Sequence, residues 1–163
     1  MHCTIFCGDQ WTRLSVAEQD EPMSAIRHHI QSLERCVARN GARLTREDLP
    51  ESVHGRVTEG LITLRARLSP EEELLALVHE LAHWLAHRVG EKNSPGVSQT
   101  VCEYEAEAVE ALVMSRLGFD PAAAYAGPGE AGLPTDGLLS SSVARVRCTS
   151  RTICQALGLD PDD

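Results

Sequence analysis

The run LVHELAHWLAHR, from Leu77 to Arg88, has histidines at positions 79, 83 and 87 and a glutamate at position 80. Its HExxH part, His79-Glu80-Leu81-Ala82-His83, has the spacing of a zinc site on a helix. Residues four apart on an α-helix project about 40° from each other, so both imidazoles can bind one ion. Glu80 projects about 100° further round, where it reaches a water molecule on that ion but is poorly placed as a ligand. This arrangement suits metal-assisted hydrolysis, with His79 and His83 as zinc ligands and Glu80 as the general base.

The alternative for this run is a surface helix whose histidines are merely solvated. The helix context favours the metal site, because the pattern lies within a well-capped amphipathic segment. His87 does not complete the longer HExxHxxGxxH pattern, since positions 86 and 89 are Ala and Val. We interpret it as a polar residue near the helix end or at the rim of the site.

A third zinc ligand is expected on another element, because a catalytic zinc takes three protein ligands and one open position. The run CEYEAEAVEALV contains the candidates Glu103, Glu105, Glu107 and Glu110. Glu105 lies about 200° from Glu103 and points away from it. The other three share one face, beside an apolar stripe of Cys102, Ala106, Val109 and Val113. Geometry leaves open which of them binds metal and which holds a ligand histidine by its other nitrogen. The alternative for these glutamates is a solvated acidic stripe, which would be preferred if the HExxH run were absent.

The periodicity predicts an α+β, mostly helical chain, with a small antiparallel sheet beside the HExxH helix. Ser69, Pro70 and Glu72 form a helix start with a capping box, and this helix should run to about Val89. A hairpin or a pair of edge strands should precede it, over Arg56–Thr58 and Leu61–Leu64, which flank Glu59-Gly60. The other predicted segments are a helix over Pro22–Asn40, loops over 42–53 and 90–97, a helix over Ser98–Leu117, a short turn over Asp120–Ala124, a loop over 127–137 and a last helix over Leu138–Leu157. The expected core positions are Ile26, Ile30, Leu33 and Val37 in the first helix and Val143, Val146, Ile153 and Leu157 in the last.

Composition predicts one domain over residues 1–163, with 1–21 loosely ordered and the metal-binding core in 54–118. The net charge of −9 disfavours direct binding of nucleic acid. No run of apolar residues is long enough for a membrane span, and no signal peptide is visible. Six cysteines without a CxxC pair predict free thiols in a reducing cytoplasm.

Two segments, GLITLRARLSPEEELLALVHELAHWLAHR and EYEAEAVEALVMSRLGFD, resemble the ImmA/IrrE-type metallopeptidases and the related catalytic domain of ArdC antirestriction proteins. These are small, gluzincin-like zinc proteins. The resemblance implies that Glu103 is the third ligand, that Glu107 is the partner behind a ligand histidine, and that His79, His83 and Glu80 act as inferred above. It also implies limited cleavage of a regulatory protein, such as a transcriptional repressor.

Two rival interpretations follow from the same residues. An acidic zinc protein could act by binding, for example as a DNA mimic in antirestriction, rather than by catalysis. A purely structural zinc site would need a fourth protein ligand and favours cysteine. Cys102 is the one nearby thiol, and it lies about 100° off the ligand face.

Overall fold

The computed structural model describes residues 22–87, 97–119 and 139–160. The predictions for residues 1–21, for most of the 90–97 loop, for the turn at 120–124 and for the loop at 127–137 lie outside these ranges. The α+β, mostly helical class is confirmed. The described elements are α1 (Pro22–Arg39), β1 (Arg43–Glu47), β2 (Gly55–Thr58), β3 (Leu61–Arg65), α2 (Pro70–His87), α3 (Gln99–Arg116) and α4 (Leu139–Leu157).

The sheet is mixed, so the prediction of an antiparallel sheet was only partly right. Its strand order is β1-β3-β2, and β1 runs parallel to β3 within the stretch predicted as a loop. The sequence of β1, RLTRE, is mostly polar, and the strand lies at an edge with three of its five residues exposed. This strand therefore forms through backbone pairing to β3. Its sequence lacks the alternation of apolar and polar residues by which a strand could be predicted.

The predicted hairpin is confirmed. Strands β2 and β3 pair antiparallel, with Thr58 opposite Leu61 and Val57 opposite Ile62. Glu59 and Gly60 between them have φ values of 48° and 74°, the left-handed pair that a two-residue turn requires. The turn fixes the register, which places Val57 and Ile62 in the core.

Helix α2 is the centre of the fold and begins as predicted. The Ser69 hydroxyl accepts a hydrogen bond from the Glu72 amide at 3.2 Å, and the Glu72 carboxylate accepts one from the Ser69 amide at 2.7 Å. Its buried surface is wider than the single face of the predicted amphipathic segment, because every residue from Leu74 to Trp84 is buried. A helix that is buried all round needs neighbours on every side, and α2 packs against α1, α3, α4, β2 and β3.

The helices around α2 fix the direction from which other side chains reach it. Helix α3 runs antiparallel to α2, since His87 lies beside Glu105 whereas His79 lies beside Glu110. Its start is capped by Ser98, whose hydroxyl accepts from the Val101 amide. The acidic run 103–110 is thereby laid along the histidine row of α2.

Helix α1 covers another side of α2 through the four residues that the periodicity indicated, Ile26, Ile30, Leu33 and Val37, all buried. Helix α4 runs parallel to α3 and buries Ile153 and Leu157, as predicted. Val143 was wrongly predicted as a core residue: it is 52% exposed, near the beginning of α4. Within the described ranges, no helix is long and apolar enough to span a bilayer.

Candidate metal centre

Two buried imidazoles on α2 form the centre of the site. His79 and His83 lie one helical turn apart, and their side chains are 2% and 0% exposed. Their Nε2 atoms are 3.0 Å apart. A helix places residues at this spacing on one face, and the neighbours packed around α2 keep that face out of water. The two nitrogens therefore point at the same small volume.

Glu103 on α3 adds the third group. Its Oε2 lies 3.2 Å from His83 Nε2 and 3.6 Å from His79 Nε2. An ion with tetrahedral ligands about 2.05 Å away holds those ligands about 3.3 Å from each other. The three measured separations fall on either side of this value. The atoms therefore already form one triangular face of a tetrahedron, and the residues fit a small divalent cation.

The ring of His79 is held from behind by Glu110, whose Oε2 lies 2.8 Å from His79 Nδ1. An ionised carboxylate only accepts, so the contact places the proton of neutral His79 on Nδ1 and leaves the Nε2 lone pair for a cation. The resemblance seen in the sequence implied Glu107 in this position. Glu110 lies seven residues from Glu103, almost in line with it along α3, and the antiparallel crossing brings it to His79. The structure gives no hydrogen bond from Glu107 to either ligand histidine.

The carboxylates make the site strongly attractive to positive charge. Burial alone would lower the pKa of His79, but its contacts with Glu103 and Glu110 outweigh burial and raise that pKa to about 10. Burial raises the pKa of the Glu107 carboxyl, and the neighbouring Glu110 and Glu103 add to the rise. The imidazole of His79 favours protonation in spite of its burial, which indicates unbalanced negative charge around it. A divalent cation would balance it.

Glu80 lies on the sheet side of the site. Its side chain is 0% exposed, and burial raises its pKa to about 8. Neither carboxylate oxygen has a hydrogen-bond partner among the residues that the structure describes. The backbone of Gly55, the first residue of β2, packs directly on this side chain, so the strand holds the carboxylate in place. A buried, unpartnered carboxylate beside two imidazoles is suited to proton transfer.

Within the described part of the chain, the only group of three possible ligands is His79, His83 and Glu103. No fourth protein ligand joins them there, and Cys102 is not part of the group. Among the described residues, the site therefore lacks the fourth protein ligand that a closed structural zinc site has. The three described groups leave one tetrahedral position for a further ligand.

Sequence analysis assigned no role to Glu105. It points away from Glu103, as predicted, and it is fully buried, where it forms an ion pair with Arg145 on α4 and lies 3.2 Å from His87 on α2. The sequence does not distinguish the four glutamates of α3 from one another, and Arg145, the partner of Glu105, lies 40 residues further along the chain. A peptidase needs a donor to the oxyanion besides its metal, and the sequence offers Tyr104, Tyr125 and His87 without choosing among them. In the structure His87 faces Glu105, Tyr104 is half-buried next to Glu103, and Tyr125 lies outside the described residues.

Comparison with known proteins agrees with this geometry. The family model described as Peptidase M78, IrrE N-terminal-like domain, matches residues 37–148, which is more than half of the chain and includes the whole site. Neither the curated proteins nor the solved structures give a match.

Proposed function

Because the chain belongs to the Peptidase M78 family of IrrE N-terminal-like domains, we propose that it is a zinc-dependent peptidase. The observation that supports this most directly is the triangle of His79 Nε2, His83 Nε2 and Glu103 Oε2, spaced as the ligands of one tetrahedral ion. Two imidazoles and one carboxylate with an open fourth position are the ligand set of catalytic zinc in peptidases.

A zinc ion in this site would lower the pKa of a coordinated water molecule and polarise the carbonyl group of a peptide bond. The chain's own contribution is Glu80, which takes the proton from the attacking water and passes it to the leaving amine. Its position supports this role, because it directly follows the proposed ligand His79 and its side chain is fully buried. Glu110 keeps the His79 ring turned so that Nε2 faces the ion.

The substrate that we propose is a regulatory protein, such as a transcriptional repressor, cut at a limited number of sites. This rests on the resemblance seen in the sequence. The four described cysteines, Cys36, Cys102, Cys148 and Cys154, are free thiols, which fits the cytoplasm that we propose as its location.

The test uses two single substitutions. Glu80→Gln keeps the size of the side chain and removes the base, so we expect about one zinc per chain and a peptide-cleavage rate lower by about 10²–10⁴-fold. Glu103→Ala should lose the zinc, whereas Glu107→Ala should keep it. Metal is measured by elemental analysis, and cleavage by mass spectrometry on denatured casein and on candidate repressors.

The same variants separate catalysis from action by binding alone. A biological effect that survives Glu80→Gln unchanged would contradict the peptidase proposal and favour an acidic binding protein. Zinc that remains in Glu103→Ala but is lost in Glu107→Ala would move the third ligand by one turn of α3.

A further inference from the structure

A second buried polar cluster, formed by Glu105, Arg145 and His87, lies one helical turn beyond the metal centre. The Glu105 side chain is 0% exposed and those of Arg145 and His87 are 25% and 6% exposed. Nothing in the proposed reaction uses these groups. Burying a carboxylate is costly unless it is paired, so the cluster calls for a physical explanation.

The main bond of the cluster joins α3 to α4. Arg145 donates from Nε to one oxygen of Glu105 at 2.8 Å and from Nη2 to the other oxygen at 2.5 Å. This two-bond contact fixes the orientation of the carboxylate as well as its distance, which a single bond or a lysine would not. Arg145 is held in turn by Ser142, one turn earlier on α4. The Glu105 carboxylate is therefore fixed relative to α4.

The same carboxylate also reaches α2. His87 Nε2 lies 3.2 Å from Glu105 Oε2, a close packing contact that is not aligned as a hydrogen bond, and the His87 ring centroid is 6.3 Å from that of His83. Three helices thus meet at one carboxylate beside the second ligand histidine. Because Glu105 lies two residues after Glu103, rotation of α3 about its axis moves both side chains together. Holding Glu105 therefore holds the direction from which Glu103 approaches the histidines.

We propose that Glu105 and Arg145 are positioning residues for the metal centre: their two-bond contact sets the rotation of α3 so that Glu103 and Glu110 face α2. His87 is the contact through which the arrangement reaches the ligand helix. This inference rests on the proposed function only in taking His79, His83 and Glu103 as metal ligands. It predicts that metal affinity depends on a residue of α4 that touches no ligand.

The test measures the zinc dissociation constant of the full chain by competition with a fluorescent chelator. Arg145→Lys keeps the charge but loses the two-bond contact with Glu105. We expect the zinc dissociation constant of this variant to rise about tenfold, as for other residues that orient ligands. Glu105→Gln, which keeps the shape, should show a rise of the same order. Arg147→Lys is the matched control, because Arg147 lies on the same helix with an exposed side chain, and its affinity should equal that of the wild type.

Circular dichroism of the metal-free proteins, at the temperature of the titration, checks that each variant is folded. If Arg145→Lys does not fold, Glu105→Gln provides the measurement. A dissociation constant within about twofold of the wild type in the folded variants would overturn the inference, even with a lower melting temperature, since the cluster would then serve stability alone. A wild-type chain that binds no zinc would instead contradict the proposed function.

Discussion

Substituting Gly55 by alanine tests how rigidly the sheet holds the proposed base. A Cβ at this position would lie 2.8 Å from Glu80 Cγ, 3.0 Å from Glu80 Oε1 and 3.1 Å from Leu64 Cδ2. Carbon atoms in contact are normally about 3.5–4.0 Å apart. Either β2 or the Glu80 side chain must therefore move by somewhat less than about 1 Å.

The structure sets the size of the effect. Glu80 and Leu64 are both 0% exposed, so neither side chain can turn into solvent to make room. Overpacking of this kind costs about 1–3 kcal/mol. Gly55 is not among the described glycines with positive φ, so alanine also gains about 0.4–1 kcal/mol by restricting the unfolded chain. We expect a net loss of about 1–2 kcal/mol in the free energy of unfolding.

Activity should fall more than stability suggests, because displacing a reacting group by about 1 Å can cost about 10²-fold in rate. Zinc affinity should stay within about twofold of the wild type, since the substitution touches no ligand. The assays are urea unfolding, chelator competition and casein cleavage. The reasoning would be refuted by wild-type stability and rate, or by an equal loss of stability when Gly55→Ala is made together with Glu80→Ala, which removes the two closest clashing atoms and leaves only Leu64 Cδ2.

Further predictions concern the ligand support, the start of α2 and its contact with α1. Glu110→Gln should weaken zinc binding by about 10–100-fold and Glu107→Gln by less than about threefold, measured by chelator competition; the reverse order would return the supporting role to Glu107. The Ser69 amide holds the pKa of Glu72 below its usual 4.5, so the stability that Glu72 provides is present above pH 4.5 and is lost as the pH falls through its folded value. Glu72→Gln should remove this part of the acid dependence in urea unfolding at pH 3–6, and parallel curves for the two proteins would contradict it. Trp84→Phe loses a 3.0 Å hydrogen bond to a backbone carbonyl at the end of α1 and should cost about 1 kcal/mol in thermal unfolding; an unchanged melting temperature would exclude that role.

The histidine helix could be read from the sequence because its signals are local. The cap at Ser69, the proline at the first helical position and the HExxH spacing all lie within about fifteen residues. The β2–β3 turn is local too, since Glu59-Gly60 sits between two β-rich runs. Each of these features depends on neighbours in the chain, whose effects the residue types reveal directly.

Features that depend on distant partners were not predictable in the same way. Strand β1 exists because β3 pairs with it, and its own side chains are mostly exposed and polar. Glu107 and Glu110 are three residues apart on α3 and share the face of Glu103. The angle at which α2 and α3 cross therefore decides which of the two reaches His79. Periodicity gives the face of a helix but not the angle at which two helices cross.

The buried polar residues of α2 lower the stability of the fold at this site. Twelve residues of the helix are buried, and the four polar ones among them are His79, Glu80, His83 and His87. Apolar residues of similar volume would be equally or more stable there, because buried ionisable groups carry a desolvation cost. That cost is confined to one helix, at the positions of the two proposed ligands, the proposed base and the contact to Glu105. A purely structural core helix would have no reason to place its polar side chains in that pattern, whereas a metal centre needs the two proposed ligands and the proposed base, and the proposed positioning contact to Glu105 accounts for His87.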